Sequence, residues 1–124
     1  MASGIIEKSG WKLLWTNQNP TSAFSPQTIN IDLSSYSMIM VRTYSYAISA
    51  YYGITTIGFK GTHRNIITSF GNTTGPGYLN FFMREFICND SGIQFSEGYS
   101  RQITSSSTPS VDNNFNVPIE IYGQ

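Results

Sequence analysis

The sequence predicts an all-β domain, an antiparallel β-sandwich of jelly-roll-like form with about seven or eight strands. Three observations carry this expectation. β-Branched and aromatic residues dominate, clusters of Gly, Pro, Asn and Ser interrupt them at short intervals, and no amphipathic helical period of useful length occurs. The chain has 124 residues, 40% hydrophobic and 15% aromatic, enough apolar material for one core without disulfides or metals.

A leader over residues 1–10 precedes a single domain over residues 11–124. Trp11-Lys12-Leu13-Leu14-Trp15 reads as a short strand ending at the turn signal Asn17-Gln18-Asn19-Pro20. Trp11, Leu13 and Trp15 share one face, and the two rings are read as core. Residues 27–34 alternate Ile29, Ile31 and Leu33 against Asn30 and Asp32, the pattern of a half-buried strand. Residues 38–46 form a longer strand with Ile39, Val41, Thr43 and Ser45 on one face; Met38 and Met40 on the other suggest burial from both sides at its start. Residues 47–53 read as a loop, and strands over 54–60 and 63–70 as a hairpin turning at Gly61. Gly71-Asn72-Thr73-Thr74-Gly75-Pro76-Gly77 is a loop, because Gly supplies positive φ and Pro removes a ladder donor. Residues 78–88 alternate Phe82, Arg84, Phe86 and Cys88 against Phe81, Met83, Glu85 and Ile87. The turn Asn89-Asp90-Ser91-Gly92 returns the chain into a strand over 93–104. A long polar loop from Ser105 through Asn114 precedes a closing strand marked by Val117, Ile119 and Ile121.

Charged residues are only 11% of the chain, against roughly 25% in an average soluble domain, so the polar surface is built from Ser, Thr, Asn, Gln and Tyr. Seven basic and seven acidic side chains cancel, and no basic cluster offers the footprint that phosphate binding requires; nucleic acid is not an expected partner. Near-zero net charge gives little colloidal repulsion and suits a protein housed in an assembly. No apolar run approaches the ~18 residues of a membrane span, and no basic region followed by an apolar stretch marks an export signal. Cys88 is the only cysteine and reads as a small buried hydrophobe.

Catalytic constellations are not visible. His63 is the only histidine, no Gly-x-Ser-x-Gly elbow accompanies any serine, and its position at a strand start suits an edge or surface residue. Asp32, Glu85, Asp90, Glu97 and Asp112 show no spacing that picks out a glycosidase acid and its partner. One Cys and one His make no zinc site, and no cofactor is expected. Asp112-Asn113-Asn114 could offer oxygens to calcium or form a solvated turn. Tyr51-Tyr52 could stack on sugar rings or pack inward. Together with His63 and Asn72 these residues, Tyr51, Tyr52, Asp112, Asn113 and Asn114, make up the candidate ligand contacts.

Three phrases carry a family resemblance: Trp11-Lys12-Leu13-Leu14-Trp15-Thr16-Asn17; Asn19-Pro20-Thr21-Ser22-Ala23-Phe24 leading into residues 27–36; and the terminal Pro118-Ile119-Glu120-Ile121-Tyr122-Gly123. They resemble the small C-terminal domains of tail, baseplate or receptor-binding proteins from phages and prophages of Gram-positive gut bacteria. The leader Gly4-Ile5-Ile6-Glu7-Lys8-Ser9-Gly10 is similar to the connectors before such domains. The resemblance implies a β-sandwich, often in homotrimers at a tail tip, in contact with bacterial surface polysaccharide and other tail proteins; it supplies no catalytic residues, and no enzyme is expected. Alternatives are a purely structural oligomerisation or capping domain of the virion and a cell-wall glycan hydrolase.

Overall fold

A computed structural model of the chain describes residues 9–45, 52–71, 80–102 and 109–124. Among these residues nine strands and no helix occur: β1 (Lys12–Thr16), β2 (Gln27–Asn30), β3 (Met38–Ser45), β4 (Tyr52–Phe59), β5 (Asn65–Gly71), β6 (Asn80–Asn89), β7 (Gly92–Gln102), β8 (Ser110–Val111) and β9 (Val117–Gly123). They form two antiparallel sheets, one ordered β1-β9-β3-β4 and the other β2-β7-β6-β5 with β8 added to β7. The pairing of β1 with β9 and of β2 with β7 nests the chain ends as a jelly roll does. Between them, β3-β4 and β5-β6-β7 pair in consecutive order.

Period-two alternation places the core. Ile39, Val41, Thr43 and Ser45 point inward from β3, and Phe82, Arg84, Phe86 and Cys88 from β6, all buried. Met40 is buried as well, so the start of β3 is covered on both faces as its composition suggests. The centre is aromatic: Phe95 meets Phe24 edge-on at 5.5 Å and Phe86 at 5.8 Å, while Phe82 stacks on Phe115 at 4.0 Å. Trp15 packs on this cluster through Phe24.

Four sequence expectations need correction. In β1 a bulge between Leu13 and Trp15 shifts the register against β9, so Leu14 and Trp15 pack on the core in place of the expected set of Trp11, Leu13 and Trp15. The strand expected over residues 27–34 ends at Asn30, although its alternation continues: the N–H groups of Ile31 and Leu33 donate to the carbonyls of Ser91 and Asp90, and Leu33 is fully buried. The polar tract after β7 contains the short strand β8, paired at Tyr99↔Val111 and Ser100↔Ser110.

The fourth correction concerns β4 and β5, which do not form a hairpin but lie in opposite sheets. Gly58 explains the close crossing, since a Cβ there would sit 2.6 Å from the Phe86 ring and 2.7 Å from Asn65. Asn65 then holds the corner. Its Oδ1 accepts from the Phe59 N–H at 3.1 Å and its Nδ2 donates to the Phe59 carbonyl at 3.2 Å, so the side-chain amide stands in for a strand neighbour. Gly61, at φ 142°, completes the turn by donating its N–H to the Cys88 carbonyl at 2.9 Å.

Cys88 is fully buried and its thiol donates to the Phe59 carbonyl at 3.3 Å. Burial pushes the thiol above its ordinary pKa of 9.0, with the Lys60 charge pulling weakly the other way. A raised folded-state pKa means that the unfolded chain loses this proton first, so the thiol's contribution is complete below about pH 9 and declines as pH rises beyond it. Thermal melts across that range should show a steeper alkaline loss in the wild type than in Cys88→Ala; parallel slopes would mean that the thiol contributes nothing.

Candidate functional site

The segment between β8 and β9, which carries three of the expected ligand contacts, is built around an internal cation. Arg84 enters from β6 on the apolar face and is fully buried. Its Nε donates to the Asn116 carbonyl (2.9 Å), Nη1 to those of Phe24 (2.9 Å) and Ser96 (2.7 Å), and Nη2 to those of Asn113 (3.3 Å) and Phe115 (3.1 Å). The five bonds match the five N–H donors of a guanidinium. The Phe24 ring lies 5.5 Å from Cζ. Burial lowers the Arg84 pKa to about 10, with the Glu97 charge acting in the opposite sense, so the group is cationic at neutral pH.

This cage accounts for Asp112, Asn113 and Asn114. Asp112 Oδ1 accepts from the Asn114 N–H at 3.1 Å, an Asx turn. Asn113 turns its carbonyl to Arg84 and its Oδ1 to the Gly98 N–H at 2.8 Å. Carbonyl oxygens that could have surrounded a calcium ion surround a guanidinium instead. No group of three or more His, Cys, Asp or Glu suited to a metal occurs among the described residues. Asn116 closes the segment at φ 47°, a left-handed conformation that Asn tolerates better than most residues. Its N–H donates to Ser45 Oγ and its Oδ1 accepts from the Ser69 hydroxyl, tying the two sheets at one end of the sandwich.

Of the other expected contacts, Tyr51 and Asn72 lie outside the described residues, and Tyr52 begins β4, paired with Ser45. Ser45, Gly71 and Asn80 lie at the end that Asn116 ties. His63 does not join them: it is exposed in the turn between β4 and β5, about 25 Å away along β4. The described members of the candidate set therefore do not converge on one site.

A different constellation does converge. On the outer face of the second sheet, two adjoining depressions of about 220 and 150 Å³ share Ile87 and Gln94. Strand register makes their walls. Thr28, Gln94 and Ile87 form one cross-strand row, and Asn30, Gly92 and Asn89 the next. Arg64, ion-paired to Glu85 at 2.7 Å, and Ser96 line the other end. The side chains of Thr28, Asn30 and Gln94 are exposed and form no hydrogen bond among the described residues. Each depression is smaller than the roughly 300–1,000 Å³ of an enclosing small-molecule pocket. The furrow thus offers free amides and a hydroxyl beside an apolar floor, open along its length.

None of these furrow residues stood out in the sequence as ligand contacts. The available signal was their outward position on alternating strands, but alternation gives faces and not neighbours, and the row exists only because β7 lies between β2 and β6. No protein-family model, curated protein or solved structure matches the chain.

Proposed function

We propose that this domain is a non-catalytic, adhesin-like module of a phage tail or baseplate that contacts bacterial surface glycan. The observation that carries the reading is the open furrow of Thr28, Asn30 and Gln94 over Ile87. Hydroxyl-rich chains are bound by amide and hydroxyl groups beside an apolar surface, and an open furrow accommodates a polymer that a closed pocket would cut off. The low charge of the chain and the resemblance of its end motifs to tail-protein domains agree with it. Each contact would be weak, and display in a homo-oligomer would supply avidity.

Binding to arrayed Gram-positive cell-wall polysaccharides tests this. The wild-type oligomer should bind, and the double variant Asn30→Ala, Gln94→Ala should bind at least about tenfold more weakly with its fold unchanged, each lost hydrogen bond removing roughly 1 kcal/mol. Absence of binding by the native oligomer, or binding indifferent to the double variant, would remove the reading. A second reading, a structural oligomerisation or capping domain, is favoured by Ile57, Phe59, Ile66 and Phe70, all exposed on or beside open sheet edges. The carboxylates of Glu85, Asp90 and Glu120 are each held by a cation, which lends a hydrolase reading no support.

A further inference from the structure

β4 is an open sheet edge whose unpaired groups specify what can lie against it. Its register with β3 runs unbroken from Met38↔Phe59 to Ser45↔Tyr52, and among the described residues no strand lies on its other side. At Phe59 the outer side is closed by the Asn65 amide, which takes both the N–H and the carbonyl. Alternate residues of an antiparallel strand turn these groups to the same side, so Gly53, Thr55 and Ile57 present theirs outward as Phe59 does. All three are exposed, and their outward backbone groups have no partner among the described residues.

The other edges are guarded in familiar ways. β1 carries Lys12 and a bulge, β2 is four residues long and follows Pro26, β8 is two residues long and follows Pro109, and β5 starts beside the exposed Arg64. From Gly53 to Phe59, β4 has no charge, no proline and no bulge.

We propose that β4 pairs antiparallel with β4 of a second copy of this chain about a twofold axis at Thr55, fusing two four-stranded sheets into one. Such pairing sets Thr55 opposite Thr55 and Gly53 opposite Ile57, twice. Only Thr55, on the axis, meets its own symmetry mate, so a charge there would face its like; the strand carries none. The side-chain fit is reciprocal. The Tyr44 ring lies across Gly53, where a Cβ would come within 2.9 Å of its Cε1. Tyr44 is 37% and Ile57 52% exposed, so Ile57 of each copy closes over the aromatic surface at Gly53 of the other. An unrelated strand could use the backbone groups but would have no need of that reciprocity, and a twofold contact closes at two subunits. The inference is independent of the glycan reading, and it replaces the threefold arrangement implied by the family resemblance with a pair.

Light scattering across a concentration series tests it on the whole chain. The wild type should reach twice the 13.8 kDa chain mass, and Thr55→Lys, which sets two charges against each other at the axis, should stay monomeric with an unchanged circular dichroism spectrum. Ile57→Ala should raise the dissociation constant about tenfold. Thr55→Cys should cross-link into a dimer on oxidation, because facing Cα atoms in a hydrogen-bonded antiparallel pair are ~5.5 Å apart, within disulfide range, while buried Cys88 leaves the wild type uncross-linked. A wild type that is monomeric throughout, a trimer, or a dimer that survives Thr55→Lys or fails to cross-link through Thr55→Cys would overturn the proposal.

Discussion

Replacing Arg84 by methionine is expected to destabilise the fold by roughly 3–5 kcal/mol, since five carbonyls lose their charged donor at about 1 kcal/mol or somewhat less each. For a domain of this size that lowers the melting temperature by roughly 10–25 °C. The reason is topological as much as electrostatic. The guanidinium bonds to carbonyls from the segment before β2 (Phe24), from β7 (Ser96), and from the segment leading into β9 (Asn113, Phe115 and Asn116). Methionine fills similar volume but leaves five carbonyls without their donor. Arg84→Lys should fall between the two, since an ammonium brings three donors at one point instead of five spread over a plane. Urea denaturation followed by circular dichroism checks the order; a loss below about 1 kcal/mol for methionine would mean that the carbonyls find other donors.

The buried guanidinium also has a pH consequence opposite in sign to that of Cys88. Its folded-state pKa, about 10, lies below the ordinary 12.5, so the unfolded chain holds this proton more tightly. Its charged form is therefore favoured less by the fold than its neutral form would be, a penalty set against the five hydrogen bonds, and that penalty shrinks as pH rises above about 10. The decline due to Cys88 is accordingly cleanest between about pH 9 and 10, before the two trends oppose each other.

Much of the sandwich is legible in the sequence because alternation reports burial directly. The grouping of Phe82, Arg84, Phe86 and Cys88 on one face of β6 reads correctly, and the structure shows that face to be the buried one. What alternation cannot report is which strand lies beside which. Ile54–Lys60 and His63–Phe70 look like a hairpin because both are β-rich and Gly61 separates them. The small side of Gly58 and the reach of the Asn65 amide send the chain to the other sheet instead. The site was hidden for the same reason. Asp112-Asn113-Asn114 carries the composition of a ligand loop, yet its Asn113 carbonyl is taken by an arginine 29 positions earlier in the chain and its Asp112 Oδ1 by the Asn114 N–H. Thr28, Asn30 and Gln94 are unremarkable in sequence and become a row only through the β2-β7 register.

Phe95→Ala is expected to cost roughly 3–5 kcal/mol, the range for truncating a buried phenylalanine, whereas Phe70→Ala on the exposed face should fall within about 0.5 kcal/mol of neutral. Phe95 is fully buried between Phe24 and Phe86, so its removal leaves a cavity where three rings meet. The same strand carries Gln94 and Ser96 on its other face, and Phe86 and Phe95 form part of the furrow's base. Loss of that packing loosens the row that positions the free amides. Glycan binding by Phe95→Ala, measured below its lowered melting temperature, should therefore weaken together with stability, while Phe70→Ala should change neither. A Phe95→Ala protein that binds as the wild type does would show that the furrow is held by the β2-β7-β6 ladder alone and draws nothing from the ring cluster beneath it.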